Sequence, residues 1–232
     1  MTRLGIVTGM RFEADIIAAE LARAGMPDSV AVACAGPSYS AARRTAAKLI
    51  DGGSEALVSF GVAGALQEGL RSGTLLIANQ VVNWHEVVET DKAWVGRLRE
   101  ALGKPPFPIQ IGDLAHSDPP AVSPADKRSL HIQTRALGVD MESFGVGEIA
   151  RERGVPFLTL RVVADGATRI LPTAALEAAN PDGSVNAGRA LATLAMRPWE
   201  TFDMVWLGIQ TGAARRTLRS LAVLGVPRGF FL

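Results

Sequence analysis

Asp165 follows the most apolar strand-like run of the chain and precedes Gly166, so its carboxyl group is expected to project from a buried strand end into a crevice. Taking such a group out of water disfavours its charged form and keeps it protonated longer, which is what a general acid needs. The plainer use of the same residue is a helix cap, or a loop aspartate paired with Arg161 or Arg169. Two further acids, Asp140 and Glu142, flank Met141. Asp140 suits the cap of a helix expected over residues 141–153. Glu142, in the first turn of that helix, is favoured by the helix dipole whether or not it does chemistry. Gly145 and Gly147 each cost such a helix about 1 kcal/mol relative to alanine, which points to close packing against a neighbour. Glu13 ends the segment Thr8-Gly9-Met10-Arg11-Phe12-Glu13 after the first apolar run. A fourth segment, Gly61-Val62-Ala63-Gly64, lets the backbone approach a ligand closely, because glycine lacks the side chain that would hold it off. A tight strand-to-loop turn with no ligand would use the same residues.

The elements that must hold these groups follow from the patterning. Short β-branched runs alternate with helical patterns: residues 5–8 then 12–24, 30–34 then 39–50, 56–61, and later 156–163. Fully apolar runs alternating with amphipathic segments predict an α/β fold. Its expected form is a single domain over residues 1–232, a three-layer αβα arrangement with a central mostly parallel or mixed sheet. In such sheets ligands bind beyond the carboxyl ends of the strands, where all four segments fall. In the second helix Ala42, Ala46, Leu49 and Ile50 recur at helical spacing, with Arg43, Arg44 and Lys48 as a solvated face and Ser38 or Ser40 as its cap. Further on, residues 77–84 suit a strand, 93–102 a short helix, 103–108 a proline-rich loop and 125–136 a helix. Residues 171–185 look like a mobile excursion that serves as a loop or closes over substrate as a lid.

Composition narrows the classes. The 232 residues are 48% apolar and 20% charged with a net charge of +1, so no overall field favours nucleic acid. A single cysteine, Cys34, excludes an internal disulfide framework and suits a reducing compartment, with the cytoplasm as the expectation. The apolar run at residues 4–8 is too short for a signal peptide, and no stretch has the length to span a bilayer. His85, His116 and His131 are too scattered for a metal triad, and neither a dinucleotide fingerprint, a P-loop lysine nor a nucleophile elbow occurs, so neither metal nor cofactor is expected. Trp199, Phe202, Met204, Val205, Trp206 and Leu207 crowd together, and the chain ends Gly229-Phe230-Phe231-Leu232. A C-terminal helix packed on the core with a docked tail accounts for them. The alternative is an apolar surface for a lipid-like substrate, for peripheral contact with a membrane, or for a subunit partner.

Taken in order along the chain, Gly5-Ile6-Val7-Thr8-Gly9-Met10-Arg11-Phe12-Glu13, Gly61-Val62-Ala63-Gly64, Val139-Asp140-Met141-Glu142-Ser143 and Arg161-Val162-Val163-Ala164-Asp165 resemble the purine nucleoside phosphorylase and methylthioadenosine/adenosylhomocysteine nucleosidase superfamily. The resemblance implies cleavage of the N-glycosidic bond of a purine nucleoside. Asp165 would protonate or hydrogen-bond N7 of the leaving purine, and Glu13 would orient the attacking water. Glu142 would bind ribose hydroxyls and Met141 would pack against the sugar, with Ala63 and Gly64 lining the substrate site. Ala121 and Val122, in the loosely matched segment Ser117-Asp118-Pro119-Pro120-Ala121-Val122, would face the nucleobase. An oxocarbenium-like transition state wants this division, an acid at the leaving group and a carboxylate near the nucleophile.

Phosphorolytic relatives hold phosphate with an arginine and a serine around the third-strand glycine. The matching positions here are Ser59 and Val62, and Glu13 stands where a phosphate-binding arginine is expected, so the resemblance favours water over phosphate as co-substrate. Arg11, Arg43 and Arg44 are the residues from which a different phosphate site would be built. The short middle region and greasy tail are most similar to the hopanoid-associated phosphorylase branch, whose substrate is adenosylhopane and whose product is adenine. A methylthioadenosine nucleosidase acting on small soluble nucleosides, and a non-catalytic nucleoside- or lipid-binding protein, are the alternatives. The partner implied is a small-molecule or lipid-linked purine nucleoside and not nucleic acid, and the resemblance favours a homodimer or larger assembly.

Overall fold

The computed structural model describes residues 3–25 and 30–225. Strands β1 (Leu4–Thr8), β2 (Val30–Cys34), β3 (Ala56–Ala65), β4 (Leu75–Val82), β5 (Val87–Glu89), β6 (Ile109–His116), β7 (Gly138–Asp140) and β8 (Phe157–Asp165) form one mixed sheet. β1 lies parallel between β2 and β3, and β3 is parallel to β8. β8 then meets β4 antiparallel, β4 pairs with β6, and the short β7 joins β6 back to β3. Five strands thus close a ring. A long twisted strand can offer both of its edges to different partners in this way, as β3 and β8 do.

Helices cover the sheet on both sides: α1 (Arg11–Arg23), α2 (Tyr39–Asp51), α3 (Lys92–Leu102), α4 (Pro124–Thr134), α5 (Ser143–Arg153), α6 (Thr173–Ala178), α7 (Ala187–Met196) and α8 (Thr201–Gly225). The period-2 alternation of strand side chains divides the core. Leu4 and Ile6 of β1, Val58 and Phe60 of β3, and Leu158 and Leu160 of β8 pack with Ile17 and Leu21 of α1, Trp94 and Leu98 of α3, and Leu218 and Leu221 of α8. Val7, Leu57, Phe157 and Val163 point the other way, onto Ala42 and Ala46 of α2 and Phe144, Val146 and Ile149 of α5. Each fully buried large apolar side chain contributes about 1.5–3 kcal/mol, so these two layers supply most of the favourable term. The expected three-layer α/β architecture is present.

Several local expectations are corrected. The run at residues 56–61 continues to Ala65, so Gly61-Val62-Ala63-Gly64 is strand interior with a register shift between Ala63 and Gly64, not a turn. β6 carries Gly112-Asp113 in its middle, and those residues hide its apolar alternation. Ser38 stands at the N-cap of α2 but makes no cap bond, its hydroxyl sharing a 3.3 Å hydrogen bond with that of Ser40. α5 starts at Ser143, with Glu142 in the N-cap position. A side chain on Gly145 would stand 2.8 Å from the Tyr39 carbonyl and one on Gly147 2.6 Å from the Phe157 ring, which is the close packing their cost implies. Residues 171–185 are not a plain excursion. They carry α6, an antiparallel bridge between Ala179 and Val185, and a tip whose Gly183 carbonyl accepts from Arg11 N at 3.0 Å.

α8 has two characters. Its second half is buried against the sheet through Ala214, Leu218, Leu221 and Ala222. In its first half Phe202, Val205 and Ile209 are exposed, as are Leu191 and Met196 of α7 and Trp199. No helix among the described residues is long and apolar enough to cross a membrane. The terminal Gly229-Phe230-Phe231-Leu232 lies outside the described residues.

Candidate active site

Glu13 is the third residue of α1, and its position there lets the side chain fold back on the helix start. Oε2 accepts from the amides of Gly9 at 3.0 Å and Met10 at 2.9 Å, while Oε1 accepts from Val62 N of β3 at 2.8 Å. The carboxyl is therefore fixed between the segment that follows β1 and the interior of β3. Burial raises its pKa, opposed by Arg161 and by the three amides.

Arg161, in the middle of β8, is the hub of the buried charges. It is 1% exposed, its Nε lies 2.6 Å from Asp140 Oδ2, and its Nη2 lies 3.1 Å from Glu142 Oε2. Nη2 also donates to Ser59 Oγ at 2.6 Å, Nε to Ser143 Oγ at 3.1 Å, and Nη1 to the Val62 carbonyl at 3.3 Å. Burial works against its charge, but Asp140, Glu142 and Glu13 together hold its pKa above the ordinary range. Asp140 accepts from Ser143 N at 3.2 Å, so it does serve the start of α5, and it pairs with Arg161 as well. Glu142 is buried, and burial, the negative Asp140 and the negative Glu13 outweigh Arg161 to push its pKa up to about 8.

Asp165 ends β8 beside Gly64 of β3. Its partner is neither Arg161 nor Arg169, the two partners that the plainer reading of the sequence offered, but Lys127 of α4, whose ammonium donates to Oδ2. Burial raises the Asp165 pKa and Lys127 opposes the rise. The pairing expected for Arg169 fails because its guanidinium instead covers the Trp206 ring at 5.0 Å.

Three glycines have one job in common, clearing space for the three carboxylates. A Cβ on Gly61 would stand 2.6 Å from Glu13, one on Gly9 2.7 Å from Glu142 Oε1, and one on Gly64 3.2 Å from Asp165 Oδ1. Any larger residue would displace a carboxyl group, which is the physical reason these three positions carry glycine.

Of the other expected site residues, Ala63 is buried and Met141 half-buried at the head of α5. Ala121 packs against the cluster of Leu66, Val82, Ala115, Leu130, Ala136 and Val139. The Val122 carbonyl accepts from Leu171 N at 2.9 Å, tying that segment to the chain just beyond Asp165. Ser59 is enclosed within the Arg161 network. Of the arginines from which a second phosphate site would be built, Arg11 pairs with Asp182 at 2.6 Å, Arg43 pairs with Glu148 and Glu152 at 2.8 and 2.7 Å, and Arg44 is exposed. Cys34 lies 3.5 Å from the Gly9 carbonyl, and burial raises its thiol pKa. His116 stacks on Phe144 at 5.7 Å and sits 5.3 Å from Tyr39, with its pKa lowered by burial. Among the described residues no group of three His, Cys, Asp or Glu is arranged to hold a metal ion.

Lys127 is absent from the residues singled out by sequence, and Arg161 appears there only as a candidate partner of Asp165, not as the hub of three other acids. Arg161 lies inside a strand run, and Lys127 sits between Asp126 and Arg128 where a solvated face is the natural assumption. Its three-residue spacing to Leu130 is the local signal that would have found it, since these two are the buried positions of α4.

A mixed α/β sheet thus carries buried acids around β3, one of them held by backbone amides and one by a buried lysine. The chain belongs to the phosphorylase superfamily, whose model matches residues 3–196. It is 26% identical over 128 residues to the 5′-methylthioadenosine/S-adenosylhomocysteine nucleosidase of Staphylococcus haemolyticus, a match that covers 47% of this chain and 56% of that protein. The aligned part thus spans little more than half the length of that relative. Among solved structures, the fold is similar to the futalosine hydrolase of Helicobacter pylori, with a TM-score of 0.68 at 20% identity over 95% of this chain and 97% of that one. It is likewise similar to the H. pylori 5′-methylthioadenosine/S-adenosylhomocysteine nucleosidase bound to butyl-thio-DADMe-Immucillin-A, with a TM-score of 0.67 at 19% identity over the same shares of the two chains.

Proposed function

We propose that this protein is a purine nucleosidase, cleaving the N-glycosidic bond with water and releasing the free base. The observation that carries this reading is the arrangement of Glu13 and Asp165 on opposite edges of β3, each beside a glycine of that strand. Asp165, desolvated at the end of β8, gives its proton to N7 as the purine leaves. Glu13, locked by three amides, accepts a proton from the attacking water, which adds to the anomeric carbon on the other face of the sugar. Glu142, whose raised pKa makes it able both to donate and to accept near neutral pH, hydrogen-bonds the ribose hydroxyls. Met141 packs on the sugar, Ala63 and Gly64 line the site, and Ala121 and Val122 face the base.

Water is preferred over phosphate because the groups that would hold a dianion are spoken for. Ser59 is bound to Arg161, Arg161 is matched by Asp140 and Glu142, and Arg11 and Arg43 have carboxylate partners. Three buried acids around one arginine repel a second anion. No cofactor takes part in this scheme.

The substrate we favour is adenosylhopane, whose 5′ substituent is a pentacyclic lipid. Supporting it are the exposed apolar residues of α7 and α8, of which Phe202 stacks on Trp206 and Trp206 meets Arg169, four residues beyond Asp165; we propose that they form one apolar face. The same face is proposed to lie against the membrane that contains such a lipid, from the cytoplasmic side that the single Cys34 suits. Vesicle flotation tests that contact, and light scattering tests whether a homodimer covers the face instead. The functional experiment compares adenine release from a small 5′-thioadenosine and from adenosylhopane, each with and without phosphate. Phosphate-independent release with preference for adenosylhopane is expected. Preference for the small nucleoside would reassign the substrate, and a requirement for phosphate would overturn hydrolysis.

A further inference from the structure

Lys127 is a charged residue with 1% exposure in a helix whose neighbouring charges, Asp126 and Arg128, face solvent. Its inward direction is set locally. Ser123 caps α4 by accepting from Asp126 N at 3.1 Å, and the Asp126 carboxylate returns to Ser123 N at 3.0 Å, which fixes the first turn and turns Lys127 and Leu130 to the inside. At the end of the buried stem the ammonium has three donors and finds three acceptors: Asp165 Oδ2, the Gly166 carbonyl at 3.0 Å and the Arg169 carbonyl at 3.0 Å. Burying an ammonium carries a desolvation penalty that a purely apolar stem would avoid, so the charge itself has a use.

We propose that Lys127 is a positioning residue for Asp165, holding one carboxyl oxygen and the 166–169 backbone so that the other oxygen faces the reacting purine, and setting the pH range over which Asp165 carries its proton. The inference rests on the assignment of Asp165 as the acid of nucleoside cleavage. The charged groups near Asp165 support it. Arg161, four residues upstream on the same strand, is committed to Asp140 and Glu142, and Arg169 turns its guanidinium onto Trp206. Arg128 of α4 is exposed and pairs with Glu68. Among the described residues that leaves Lys127 as the cation in contact with the carboxyl, and a cation there favours the ionised form while burial favours the neutral one.

The pH profile of kcat/KM separates positioning by charge from simple packing. An acid acts in its protonated form, so activity falls as pH rises through its pKa. In Lys127→Met, or in Lys127→Gln where a polar tip keeps the helix better satisfied, that alkaline limb is expected to move up by at least one pH unit. In Lys127→Arg, which keeps the charge, it is expected to stay within a few tenths of a unit of wild type even where kcat falls. A limb unmoved in the neutral variants would overturn the proposal and leave Lys127 as packing. NMR of the wild-type protein gives a second reading that needs no variant. The Lys127 Nζ resonance should shift in step with titration of the Asp165 carboxyl carbon, and independent titration contradicts the proposal. Should the wild-type protein release no base from any purine nucleoside, the functional assignment fails while the coupled NMR titration still decides the role of Lys127.

Discussion

Glu13, Asp140 and Glu142 surround a single guanidinium, whereas Asp165, on the far side of β3, has an ammonium to itself. The two halves of the site solve the burial of charge differently. Three carboxylates and one arginine leave an excess of negative charge, and burial with that excess raises the pKa of both Glu13 and Glu142, the latter to about 8. At Asp165 the charges balance one to one, and burial and Lys127 pull the carboxyl in opposite directions. Under the proposed function, a cluster able to hold a proton would serve the hydroxyl-bearing sugar, and a balanced pair would serve a group that gives its proton up and recovers it.

Breaking the balanced half should have the largest effect. Asp165→Asn is expected to reduce base release by about 10²–10⁴-fold, the usual worth of a positioned acid, with nucleoside affinity retained. Steady-state rates and equilibrium binding, measured together, check it, and lost affinity with an intact rate would place Asp165 in binding instead. In the other half the corresponding lesion is Arg161→Met, which strands three buried acids. It should cost about 3–5 kcal/mol in urea unfolding, as removal of one partner from a buried charge network does.

Titration sharpens the contrast further. Glu142 has a folded-state pKa of about 8 against an ordinary value of 4.5, so the stability it contributes is full below about 4.5 and is lost as pH rises through about 8. Glu142→Gln should therefore melt higher than wild type above pH 8, with the difference closing toward pH 4.5. Equal pH dependence in the two proteins would refute the spare-proton account. The smallest effects should come from the glycines. Gly9→Ala, whose new methyl would stand 2.7 Å from Glu142, is expected to raise KM about tenfold, about 1.4 kcal/mol. Gly64→Ala, at 3.2 Å from Asp165, should cost less, because a few tenths of an ångström of movement relieves it. A larger penalty at Gly64 than at Gly9 would reverse the assignment of which carboxyl is more tightly enclosed.

In both halves the acids were legible in the sequence and the cations that hold them were not. Asp165, Glu142 and Glu13 stand out because each follows an apolar run, and strand ends are where an α/β sheet presents its chemistry. Helices α1 to α4 follow from their apolar periodicity to within two residues. What pairs with those acids is not local. Arg161 meets Ser59 across 102 positions and Lys127 meets Asp165 across 38, and no periodicity encodes such contacts. The same holds for the glycines: Gly61 and Gly64 look like a turn until β8 lies beside them and the carboxyls fill the space above. β7, three residues long, owes its existence to the strands on either side of it.

The claim on which the rest depends is that water, received by Glu13, replaces the purine that Asp165 protonates. Turnover of a 5′-thioadenosine in phosphate-free ¹⁸O-water, followed by mass spectrometry of the released sugar, tests it directly. The account predicts free adenine and one ¹⁸O at the anomeric carbon. Cleavage that begins only when phosphate is added, with a sugar phosphate as the product, would contradict it.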